Sequence, residues 1–438
     1  MFKGFQYKRM SLGIAIYLIG HPIIFFFRDF VGLARGQTWF TATCLVGGLM
    51  LMIPGSILRK FYQPNMSATL PLMGWITLSI FYLFFVNPYL GDPNFNMFRE
   101  LVNYAMTLGF FFLLVSIPND VKDHFVPVWA VFTFFGNIFL FYALLTSATY
   151  TLGARAAISF SEEGDAGNPH VFARNGFAGI FASFLLFKTR YIIVKLFAYF
   201  NLLFSIVTVL LTQTRSVLLS FLITIAVYCF FHLRPHNIKS GIRSLAQPLN
   251  LFVMVVIVGS TAAFIASKPQ FIDLMSLYFE TFTDKFGNVI LTALGLNDDT
   301  TVDYSAAGRV TNVTYVYWLF DGRPDAFLLG QGYRAMYIDV PVVEALFDLG
   351  VLGGYFFGRT VYELLRASLR AIKDHQNPLT TFLGYLYVPT FVYAFTGGQP
   401  FDTSFLFPFV LMARFLGNDY GPPPEPEPEP APAELESA

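Results

Sequence analysis

Residues 191–232 read YIIVKLFAYFNLLFSIVTVLLTQTRSVLLSFLITIAVYCFFH. Two apolar runs, 191–212 and 215–232, are joined by Gln213 and Thr214 alone, and Lys195 and Arg215 are their only Lys, Arg, Asp or Glu residues. Runs of about 17 to 25 apolar residues are what a helix needs to cross the hydrocarbon core of a bilayer. The stretch therefore predicts two spanning helices in a tight hairpin. Working outward, similar runs lie near 10–27, 38–58, 69–90, 101–118, 125–147, 171–188, 248–267, 340–358, 379–397 and 402–416, giving about twelve spans. Composition agrees. Of 438 residues only 13% are charged, 55% are hydrophobic and 53 are Phe, whereas soluble domains average about a quarter charged residues. The expected fold class is all-α, a polytopic integral membrane protein whose outer surface faces the lipid bilayer.

The charge balance, 28 bases against 28 acids, argues against a nucleic-acid partner. It averages unlike parts. The segment 421–438 is a Pro/Glu repeat with five Glu and no base, expected to be a disordered tail beyond a membrane domain at 1–420. The remainder has a basic excess suited to anionic lipid or substrate. Short loops holding Lys3, Lys8 and Arg9, then Arg59 and Lys60, Lys122, Lys188 and Arg190, Arg234, Lys239 and Arg243, and finally Arg359 to Lys373 fall on one side of the membrane. The positive-inside bias makes that side cytoplasmic and puts both termini there. The connections 148–170 and 268–338 then lie outside, and a loop as long as the second is a functional element. Leu274, Leu277, Tyr278, Phe282 and Phe286 predict one amphipathic helix in it, and Val310, Val313, Tyr317 and Phe320 a second. The loop reads as a helical cap.

Charges near the membrane are costly and therefore candidates for function. Arg215, at the outer turn of the hairpin, and Arg174, at the start of the sixth span, are each either snorkelling residues or site residues. Arg309 opens a cap helix, where a positive charge opposes the helix dipole. Arg334 lies in the same loop, and the turn sequence around Arg323 reads as solvated. Asp339 precedes Pro341 and is either an N-cap or a site group. Glu344 and Asp348 are four residues apart and share a helix face, where they need a polar cavity or an arginine. Tyr304, Tyr315, Tyr317, Trp318, Tyr333 and Tyr337 either pack the cap or stack on sugar rings. Cys44 and Cys229 sit in separate apolar runs, and the six His are scattered, so neither a disulfide nor a metal site is expected. Nucleotide-binding and nucleophile-elbow motifs are missing, and no cofactor is expected. Convergent arginines suit phosphate oxygens, so the outer cluster points to a lipid-linked phosphate or pyrophosphate.

Three motifs then carry a family resemblance. Thr212-Gln213-Thr214-Arg215 is similar to the Thr-x-Ser-Arg signature of the O-antigen ligase and Wzy-type polymerase superfamily, with Thr214 where Ser is commoner. Ala307-Gly308-Arg309 followed by Leu328-Leu329-Gly330-Gln331-Gly332 resembles the Gly-Arg and Leu-x-Gly-x-Gly stretch of that family's large periplasmic loop. In the next helix the family has His, then Asn, Ser or Gln, nine residues, Gly, two residues and Gly. This chain has Asp339, Val340, nine residues, Gly350, two residues and Gly353. The resemblance is best over residues 174–355.

The resemblance implies a metal-independent glycosyltransferase of the bacterial inner membrane, which takes a saccharide from undecaprenyl pyrophosphate at the periplasmic face. Arg215 and Arg309 would balance the leaving pyrophosphate, and Asp339 would orient or deprotonate the acceptor hydroxyl. Arg174, Arg334, Tyr333, Tyr337 and Glu344 would complete the substrate site. Aspartate in place of His favours the polymerase branch, which joins lipid-linked oligosaccharide repeats, over the ligase branch with its lipid A core acceptor. It also implies a chain-length regulator and a flippase as partners. A transporter of lipid-linked sugars is the reading from another class.

Overall fold

The computed structural model describes residues 2–55, 60–92, 95–147, 155–158, 168–232, 248–267, 304–375 and 377–417, with isolated positions between 276 and 288. The expected helix through Leu274–Phe286, most of the 148–170 connection and the 421–438 tail lie outside them. Every regular element among the described residues is helical. The first half comprises α1 (Phe2–Ile19), α2 (His21–Phe25), a π-helical turn at Phe26–Phe30, α3 (Thr38–Met52), α4 (Met66–Phe85), α5 (Met97–Ser116) and α6 (Lys122–Thr146). Then follow α7 (Pro169–Leu186), α8 (Ile192–Thr212), α9 (Arg215–His232), α10 (Pro248–Ser267), α11 (Tyr304–Gly322), α12 (Pro324–Leu329), α13 (Pro341–Asp374), α14 (Pro378–Thr396) and α15 (Thr403–Phe415).

Six of these helices are long and apolar enough to cross a membrane, or seven if the pair α1 and α2, bent by 71°, is one span. The other apolar segments are helical too. Two of them, α3 and α15, have 15 and 13 residues, short of the roughly 20 that a bilayer requires. Large apolar side chains such as Phe85, Leu145, Ile193 and Phe230 project outward from the bundle. A water-soluble surface would not carry so many, whereas a lipid-facing one needs them.

The bundle has two polar ends. At one, Asn65 receives an N–H from Ser67 and gives its own side-chain N–H to the Leu416 carbonyl, which starts α4 and stops α15 at the same level. Arg414, fully buried there, donates to the Leu114 and Ile117 carbonyls and to Asn119. His232 meets the Ile372 carbonyl at this end. At the other end Val86, just past α4, accepts the Tyr333 N–H at 2.9 Å. The 20 residues of α4 separate the two ends by about 30 Å.

The segment after α12 locks onto a break in α13. Gly350 has φ +65° and ψ −164°, a backbone region open essentially to glycine alone, and it interrupts the helix. The interruption leaves the Phe347 and Asp348 carbonyls without helical donors, and they accept instead from the Gln331 and Gly332 N–H groups, each at 2.9 Å. Gly330 (φ +76°) and Gly350 touch backbone to backbone: a methyl on Gly350 would lie 2.3 Å from the Leu328 oxygen. In α11 the inward face carries Val316, Leu319 and Phe320. The expected stripe was offset, since Val310, Val313 and Tyr317 are exposed. The helix begins at Tyr304, so Arg309 does not open it as its sequence suggested; Arg309 and Asn312 hold inward positions in its second and third turns because both reach polar partners in the 337–339 loop.

Candidate functional site

Asp339 organises the second end of the bundle. Its φ of +62° lies in the left-handed region, which Asp tolerates better than most side chains. It is not the helix cap that its position before Pro341 suggested. Val340 holds the N-cap position without a side-chain bond, and Glu344 secures the turn by accepting the Ile338 N–H at 3.0 Å. The Asp339 carboxylate is thereby free to face outward. Its Oδ2 accepts from Arg309 Nε at 2.7 Å, while Oδ1 accepts from the Tyr337 hydroxyl at 2.7 Å and the Gly398 N–H at 3.0 Å. Burial and the neighbouring carboxylate both raise the Tyr337 hydroxyl pKa, so Tyr337 remains a donor.

This cluster opens into a cavity of about 460 Å³ lined by Arg155, His170, Arg309, Tyr337, Asp339 and Tyr393, with Gly397 and Gly398 beside them. Arg155 is brought there by a short anchored segment. The Ala156 N–H bonds to the Leu211 carbonyl at 3.0 Å, and Ala156 and Ile158 are buried against Phe172 and Leu140. Two guanidinium groups against one carboxylate make the cavity electropositive, as an anion site requires. A second cavity of about 310 Å³ adjoins it and shares Asn168, His170 and Tyr393. Its lining includes Arg174, whose Cζ stands 4.2 Å from the centre of the Tyr393 ring, together with Asn103, Thr403 and Ser404.

The remaining sequence candidates lie elsewhere. Arg334 bonds to Asp402 at 3.0 Å and approaches Glu100 at 3.4 Å. Tyr333 is fully buried, its hydroxyl 3.1 Å from Glu100 and 3.2 Å from the Tyr104 hydroxyl, and its ring packs on Phe401. Neither ring face is open to a sugar, so Tyr333 and Arg334 lock the loop onto the bundle. Glu344 and Asp348 are likewise fully buried, below the 330–340 loop. Arg215 opens α9 and lines neither cavity. Tyr315, Tyr317 and Trp318 are exposed on α11, and the Tyr304 side chain lies outside the described residues.

Of the sequence candidates, Arg309, Asp339, Tyr337 and Arg174 gather around the two cavities, beside Arg155, His170 and Tyr393, which the sequence did not single out. No protein-family model matches this chain, and no curated protein is similar to it. The functional reading rests on the residues themselves. Arg155 from a loop, Arg309 from α11 and a carboxylate with fixed hydrogen bonds form a site that can hold a multiply charged oxyanion, next to a second chamber whose polar lining includes Asn103, Thr403, Ser404, Arg174 and Asp402.

Proposed function

We propose that this protein is a membrane glycosyltransferase that joins undecaprenyl-pyrophosphate-linked oligosaccharide repeats at the periplasmic face of the bacterial inner membrane. The observation that carries this reading is the Arg309–Asp339 ion pair. It joins two of the three motifs on which the family resemblance rests, and both residues line one electropositive cavity. In this reading Arg309 and Arg155 balance charge as the pyrophosphate leaves, stabilising the transition state more than the ground state. Asp339 holds the Arg309 guanidinium and the Tyr337 hydroxyl in fixed orientations, so little reorganisation remains for the reaction itself. Arg215 joins them through its motif alone. The chain-length regulator and flippase would be its partners.

Deletion of the gene tests the proposal. The expected cells still make single repeat units and lack long chains. Accumulation of intact undecaprenyl-linked polymer would instead indicate a ligase, and unchanged surface glycans would remove the reading altogether.

A further inference from the structure

A glycosyl transfer to a hydroxyl needs a group to take the proton, and Asp339 is poorly placed to do so. Three donors, from Arg309, Tyr337 and Gly398, already occupy its oxygens. One acceptor site on Oδ2 stays open, but Asp339 lines the first cavity alone and its carboxylate is held by two bonds of 2.7 Å. His170 is arranged differently. Pro169 and the Asn168 side chain, which accepts the His170 N–H at 3.0 Å, fix its place at the start of α7. Its ring lines both cavities, and its centroid is 6.0 Å from that of Tyr393. Neither ring nitrogen has a hydrogen-bond partner among the described residues. His21, the other histidine nearby, lines the second cavity only.

We infer that His170 is the proton acceptor for the hydroxyl of an acceptor sugar held in the second cavity. The inference rests on the glycosyl-transfer reading above and assigns the two chambers different ligands. The first chamber takes the donor pyrophosphate, and the second, where Asn103, Thr403 and Ser404 stand with Arg174 and with an Asp402 already paired to Arg334, takes the hydroxyl-rich acceptor. The acceptor oxygen forms a bond to the anomeric carbon of the donor. The bond from that carbon to the pyrophosphate oxygen breaks, and its electron pair leaves with the pyrophosphate. The hydroxyl proton passes to the unprotonated nitrogen of His170 and later to water. Burial first, and then the charges of Arg174, Arg155 and Arg309 against the opposing charge of Asp339, hold the imidazole pKa below the usual histidine range, so the ring is neutral before the transfer and returns to that form after it.

The test uses membranes of the native host, which supply their own lipid-linked sugars, containing the full-length protein. His170→Ala is expected to slow polymer formation at least about 100-fold, the usual contribution of a general base, with added imidazole restoring part of the rate. His170→Gln, which keeps the size and polarity but takes up no proton, gives the same loss without rescue. Both purified variants still bind undecaprenyl pyrophosphate as the wild type does. A wild-type rate in either variant overturns the assignment, and so does a loss in His170→Ala that imidazole leaves in place. If wild-type membranes lengthen no lipid-linked sugar, the glycosyl-transfer reading fails instead.

Discussion

Replacing Gly350 by Ala should undock the 327–333 segment from α13. The new methyl would stand 2.3 Å from the Leu328 oxygen and 2.8 Å from the Gly330 nitrogen, both backbone atoms with no rotamer to change. A side chain forced into this region of backbone space costs about 1–3 kcal/mol. The Gln331 and Gly332 hydrogen bonds to α13 break on undocking in the wild type as well, so the docking equilibrium shifts by the strain alone, about 2 kcal/mol or roughly thirtyfold. Hydrogen exchange of the purified protein in detergent reads this directly, because the Gln331, Gly332 and Tyr333 amides exchange through that opening, and their exchange should accelerate by roughly thirtyfold. Gly358→Ala, in the same helix with open space around it, is the control and should leave them unchanged. Unaltered protection in Gly350→Ala, or equal acceleration in both variants, would refute the account of the lock.

Arg334→Ala leaves the buried Glu100 carboxylate with only Arg99 at 3.5 Å and the Tyr333 hydroxyl and should cost about 2 kcal/mol of stability, seen as loss of monodisperse protein in detergent; Arg334→Ala/Glu100→Gln should recover part of it. Asp339→Asn places an amide donor or a neutral oxygen against Arg309 and should shorten polymer chains without loss of folded protein; chain lengths equal to wild type would reduce Asp339 to a structural role. Arg155→Ala and Arg309→Ala should each weaken binding of undecaprenyl pyrophosphate in a salt-sensitive manner, and unchanged affinity would place the anion elsewhere. Arg215→Ala should abolish long chains while the protein still inserts, and normal chains would remove it from the mechanism.

Local signals made the helical bundle legible. Apolar runs such as 66–85 and 192–212 need only length and composition to be recognised, because lipid selects both. Bends and short helices were harder, since the turn at Gly20 and the break at Gly350 depend on what packs against them. The site was legible where a residue contradicted its surroundings, as Arg309 does as the one base in the aromatic-rich stretch 304–320. Asp339 stood out without its partner, because the separation of 30 positions from Arg309 closes only through tertiary packing. Tyr333 misled because an aromatic in a loop resembles a stacking platform until Glu100 and Tyr104 are seen around its hydroxyl. Arg155 stood in a polar connection without periodicity, and Tyr393 in an uninterrupted apolar run, so neither carried a local signal.

Tyr393, with His170 and Asn168, forms the wall common to the two cavities, and its ring lies between Phe405, on which it stacks, and Arg174. The division of volume between them is therefore a property of three side chains rather than of the helix backbones. A change at any of the three would enlarge one chamber at the expense of the other. The bulk of sugar accepted on each side would then be an adjustable quantity, set by Tyr393, His170 and Asn168.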